Sequence, residues 1–86
     1  MINTARLDEF FQAYARELDV SREKNPLDYL PNVDNPTIVA RMRASVEKSG
    51  GFGSVNKDSP TFRRTCKALG IKHTYKAMDE YIHVKQ

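Results

Sequence analysis

The chain has 86 residues, 40% of them hydrophobic and 29% charged, with a formal net charge of +3. That composition suits one globular domain and argues against wholesale disorder. No apolar run approaches the roughly 20 residues of a transmembrane helix, and the single cysteine, Cys66, excludes an internal disulfide framework or a multi-cysteine zinc site.

Met1-Ile2-Asn3 leads straight into a charged amphipathic stretch, so no secretory signal is expected and the cytoplasm is the expected compartment. The charge is unevenly spread. Residues 1 to 35 carry four basic and seven acidic side chains, a net of −3. Residues 36 to 86 carry ten basic and four acidic side chains, a net of +6. A C-terminal part that holds the whole positive excess points to a polyanion partner, nucleic acid first, with a solvated basic face as the alternative.

In chain order, residues 4 to 19 predict an amphipathic helix. Leu7, Phe10, Phe11, Tyr14 and Leu18 recur at steps of three and four and form one apolar stripe. Asn3 or Thr4 can cap its start with a side-chain oxygen. Ser21 to Lys24 reads as a polar connector. Asn25-Pro26, Asn35-Pro36 and Ser59-Pro60 each pair a capping residue with proline, which is tolerated at the first helical position because its missing N–H has no partner there anyway. They predict a short turn of helix from Asn25 to Leu30, a helix to about Lys48 with Ile38, Val39, Met42 and Val46 inward, and a helix to about Leu69 with Phe62, Cys66 and Leu69 on one face. A last helix is expected from about Thr74 to His83. Between the second and third main helices, Gly50 to Asp58 reads as an irregular linker with Phe52 tucked into the core, or as an arm that sets Lys57 and backbone N–H groups against a phosphate. No segment alternates with period two, so no strand is expected.

Residues 60 to 82 carry the functional signal. Cys66 is small and lies four residues before Gly70; Leu69 and Ile71 flank that glycine; Lys72, His73 and Thr74 follow at the turn. This segment resembles the helix-turn-helix superfamily of DNA-binding units. The apolar residues after the turn are Tyr75 and Met78, with Lys76 between them, so the turn is one residue shorter than the commonest pattern. The resemblance implies that Lys72, His73, Thr74 and Lys76 lie at or near the major groove. It implies that Arg63, Arg64 and Lys67 touch the phosphate backbone, and that Asp79 and Glu80 face away from it. Of Arg41 and Arg43, two apart on a helix, at most one joins that face. A plain helical hairpin is the alternative.

No catalytic constellation emerges. Cys66 lies on an apolar helix face, His73 and His83 have no carboxylate at metal-ligand spacing, and no carboxylate pair shares an apolar face. The expectation is therefore a compact all-α domain of four to five helices spanning 1–86, with a C-terminal helix-turn-helix and no β-wing after it. It binds double-stranded DNA, as a small transcription regulator or as a module of a DNA replication or recombination protein. It has no enzymatic activity, metal, cofactor or membrane partner, and a homodimer would let it read two half-sites. The competing reading is a protein-interaction module that presents Phe10, Phe11 and Tyr14 on an uncovered N-terminal face.

Overall fold

The computed structural model describes residues 2–24 and 34–84. Four α-helices follow in order: α1 (Thr4–Lys24), α2 (Asn35–Ser49), α3 (Pro60–Leu69) and α4 (Tyr75–Ile82), with a single 3₁₀ turn at Phe52–Ser54 between α2 and α3. The described residues contain no strand, so the fold is all-α. The helical turn expected over Asn25–Leu30 lies outside the described residues.

α1 is the wall on which α2, α3 and α4 all pack. Its stripe of Leu7, Phe10, Phe11, Tyr14 and Leu18 meets Val46 of α2, Phe52 and Val55 of the connecting loop, Phe62 and Cys66 of α3, and Met78 and Ile82 of α4 in one core. Phe10 is the hub: its ring lies 4.7 Å from Phe52 and 6.1 Å from Phe62, centroid to centroid. Phe10, Phe11 and Tyr14 are at most 4% exposed. The uncovered aromatic face of the competing reading therefore does not exist, because the chain's own later helices cover it.

The helix ends follow their local code. Asn3 caps α1 through its side-chain oxygen, which accepts from Ala5 and Arg6 N–H at 3.0 and 3.3 Å. Its own amides then reach the far end of the chain: the backbone N–H donates to the Ile82 carbonyl and Nδ2 donates to the Val84 carbonyl. Carbonyls at the end of α4, which lack intrahelical partners, are thus satisfied by the residue that opens α1. Ser59 caps α3 by accepting from Phe62 N–H. Gly70 ends it at φ 72°, with Ile71 N–H donating to Cys66 and Gly70 N–H to Lys67. Those two crossing bonds are a Schellman end, which needs a left-handed residue where glycine carries no Cβ penalty.

Two boundaries differ from the sequence reading. α1 continues through Lys24, so Ser21 to Lys24 is its last turn rather than a connector. Ser21 is buried because it faces α3: the Thr61 hydroxyl donates to it at 3.2 Å, and the Thr65 hydroxyl donates to the Thr61 carbonyl at 2.8 Å. Polar residues can extend a helix when a neighbouring helix supplies their hydrogen bonds. On α2 the cap is Asp34, one residue before the Asn35-Pro36 pair, and it accepts from Thr37 N–H at 2.8 Å.

The Thr37 side chain and backbone together hold the Asp34 carboxyl below its ordinary value. A carboxylate with a lowered folded pKa stabilises the fold above its unfolded pKa, near 4, and loses that contribution as pH falls through the folded value. Asp34→Asn keeps a capping oxygen but cannot titrate. Its melting temperature is therefore expected to fall less than that of the wild type between about pH 6 and pH 3. Parallel melting curves across that range would show that Asp34 adds nothing to acid sensitivity.

Candidate nucleic-acid interface

The apolar pattern of α3 decides which of its cations face outward. Thr61, Phe62, Thr65 and Cys66 are buried and Leu69 is half-buried. At about 100° per residue these positions take one side of the helix. Arg63, Arg64 and Lys67 then share the opposite side; Arg63 and Lys67 are exposed and Arg64 is half-buried. Lys72 is exposed in the α3–α4 turn and Lys76 is exposed on the first turn of α4. Among the described residues, none of these five cations makes an ion pair. Arg43, by contrast, is held at 2.6 Å by Asp8 and at 2.8 Å by Glu47. Arg43 therefore belongs to the α1–α2 contact, and Arg41, exposed beside Ser54 and Asn56, is the member of that pair on the loop side.

Two of the seven expected contact residues already have structural work. The Thr74 hydroxyl oxygen caps α4 by accepting from Ala77 N–H at 3.1 Å. The His73 Nε2 hydrogen-bonds the Lys57 carbonyl. A carbonyl only accepts, so Nε2 carries the proton and donates, which leaves Nδ1 as the free ring nitrogen. His73 is half-buried in this arrangement.

That histidine belongs to a larger device that sequence reasoning missed. Four polar side chains from one short stretch hold the Gly50–Asp58 loop. His73 takes the Lys57 carbonyl, the Tyr75 hydroxyl donates to the Val55 carbonyl at 2.6 Å, Asp79 accepts from Phe52 N–H at 2.7 Å, and His83 Nε2 donates to the Gly50 carbonyl at 2.8 Å. Tyr75, Asp79 and His83 are spaced by four, so they form one stripe along α4. The stripe explains Gly51, whose missing Cβ would stand 2.9 Å from the Asp79 carboxylate oxygen. Its φ of 175° is ordinary extended backbone, so the demand for glycine comes from that close approach alone. Asp79 thus faces the loop, and only Glu80 of the acidic pair is exposed on α4. The signal in the sequence was the four-residue spacing of three polar groups beside an apolar stripe.

The loop in turn positions Lys57. Its ammonium lies 2.8 Å from Asp58 and 5.3 Å from the centroid of the Tyr75 ring. Lys57 holds the Asp58 carboxyl below its usual range, with smaller contributions from His73 and Arg63. Lys57, Arg63 and the His73 ring therefore gather around one carboxylate where the loop meets the start of α3 and the α3–α4 turn.

Cys66 is 1% exposed and burial pushes its thiol above the usual range, the opposite of what activates a nucleophilic cysteine. Among the described residues no three His, Cys, Asp or Glu side chains gather as metal ligands, and no helix is long and apolar enough to cross a membrane. Comparisons with family models, with curated proteins and with solved structures give no match.

Proposed function

We propose that this chain binds double-stranded DNA through α3, the α3–α4 turn and the start of α4, used as a helix-turn-helix. The observation that carries the reading is that five cations, Arg63, Arg64, Lys67, Lys72 and Lys76, gather on that part of the fold with no ion pair among the described residues. Arg63, Arg64 and Lys67 contact phosphates, which sets position without reading sequence. Lys72 and Lys76 lie at the groove, where lysine donates to guanine O6 and N7. Thr74 caps α4 and His73 holds the Lys57 carbonyl, so at the groove each has only its remaining polar capacity, the Thr74 O–H and His73 Nδ1, to offer. Two surface grooves among the described residues lie elsewhere: one of about 600 Å³ is lined by Ile2, Thr4, Leu7, Arg43, Glu47, Gly50 and His83, and one of about 400 Å³ by α2 and residues 54 to 56, and neither contains any of the five cations.

The test is a salt titration of binding to a short fluorescent duplex of random sequence, followed by amide chemical-shift mapping. With Arg63, Arg64 and Lys67 on phosphates the slope of log affinity against log salt is about −2.7, and it approaches about −4.5 where Lys72 and Lys76 neutralise phosphates as well. Shifts are expected to cluster at Arg63, Arg64, Lys67 and Lys72 to Lys76. Absence of binding at ~50 mM salt would end the DNA reading.

A further inference from the structure

We propose that the junction of the Gly50–Asp58 loop with the α3–α4 turn is a site for one phosphate of the DNA backbone, occupied in the free protein by the Asp58 carboxylate. This rests on the DNA reading above. Three observations carry it. First, Lys57 is anchored where a charged surface lysine ordinarily swings free: its own carbonyl is held by His73, the neighbouring Val55 carbonyl is held by Tyr75, and its ammonium sits over the Tyr75 ring. Its side chain is only 21% exposed. A cation ordered before binding loses little rotamer freedom when an anion arrives. Second, its partner is weakly held: the Asp58 side chain is 66% exposed, and such surface pairs exchange readily. Third, Arg63 bears on the same carboxylate, so Lys57 is not the sole positive charge facing that anion.

A backbone phosphate carries one negative charge and offers oxygens to the same donors, so it can take the place of Asp58 at the Lys57 ammonium. The displaced carboxylate then stands beside the phosphate and repels it. Asp58 is thus a competitor for the site, and the loop adds Lys57 to the five cations already described.

The experiment compares Lys57→Gln, Lys57→Arg, Asp58→Asn and the double variant Lys57→Gln/Asp58→Asn in the same salt titration, with circular dichroism to verify folding. Lys57→Gln is expected to flatten the salt slope by about 0.9 and to weaken binding about tenfold at ~50 mM salt. Lys57→Arg restores the slope. Asp58→Asn is expected to tighten binding severalfold, and that gain disappears in the double variant. Unchanged affinity and slope in Lys57→Gln and Asp58→Asn, with binding still lost on charge reversal at Lys72 and Lys76, overturns this site and leaves the DNA reading standing. Weaker binding in Asp58→Asn also overturns it, because Asp58 is then a supporting group and not a competitor. A wild-type chain that does not bind the duplex removes both proposals together.

Discussion

Charge reversal at both Lys72 and Lys76 is expected to take duplex binding below detection while the fold persists. Each lysine that pairs with a phosphate adds about 0.9 to the magnitude of the salt slope, which corresponds to about tenfold in affinity at ~50 mM salt. Neutralising both to glutamine therefore costs on the order of a hundredfold. Reversal to glutamate costs more, because it adds repulsion from the same phosphates. Both side chains are exposed and neither makes an ion pair among the described residues, so stability should change by no more than about 0.5 kcal/mol. The control is Arg16→Gln, an exposed cation of α1 outside the proposed face, set beside the single variant Lys72→Gln, which removes the same charge. An equal loss in these two would mean that binding follows net charge and not this surface. The pair also separates two roles. If Lys72 reads a base edge, its glutamine variant relaxes sequence preference at one position; if it touches only phosphate, affinity falls evenly across sequences.

The parts of this fold that were legible in the sequence are those decided within a few residues. Ser59-Pro60 starts α3 and Gly70 ends it because capping and positive φ are local demands. Thr74 caps α4 for the same reason. The stripe of α1 was legible because five large apolar residues at helical spacing need a wall to cover them, and the later helices supply it. The expectation that Phe52 turns inward from an irregular segment also holds, as its side chain is fully buried.

What was not legible depends on partners distant in sequence. Ser21 continues α1 only because Thr61, 40 residues on, gives it a hydrogen bond. Nothing near Ser21 encodes that. The pairing of Asp79 with Phe52 N–H spans 27 residues, and it gives an acidic residue expected only to face away from phosphates the task of fixing a loop. His73 and Thr74 read as contacts for DNA because residue type and position fit the role, yet both have local tasks in the fold. Residue type tells what a side chain can bond, but the packed structure decides which of its options are already taken. Among the described residues Arg6, Arg43 and Lys57 are in ion pairs with acids, and the five cations of α3, the turn and α4 are told from other cations without one, such as Arg16 and Lys48, by their place in the fold.

Phe52→Ala is expected to be the most destabilising single change named here, at about 3 to 5 kcal/mol. The side chain is fully buried and its ring meets three others, 4.7 Å from Phe10, 6.2 Å from Phe11 and 6.4 Å from Phe62. Removing it opens a cavity at the point where the loop joins the core of α1 and α3, and α1 cannot move in to fill it while it also supports α2 and α4. A domain of this size commonly has little more than 5 kcal/mol in total, so the variant keeps only a small margin of stability. Phe52→Leu keeps most of the volume and should cost less than about 1.5 kcal/mol. Urea titrations of both variants read the difference directly. A cost below about 1 kcal/mol for Phe52→Ala would mean that the loop is not part of the core. The hydrogen bonds between the loop and α4 predict more than a drop in stability. Phe52 N–H donates to Asp79, and the same loop carries the Lys57 carbonyl to His73. Loss of the ring therefore frees the loop from α4 as well as from the core. At urea concentrations where most of Phe52→Ala is still folded, its amides from Gly51 to Asp58 should exchange with solvent faster than those of α1. Phe52→Leu, with the ring's volume largely kept, should leave that stretch protected.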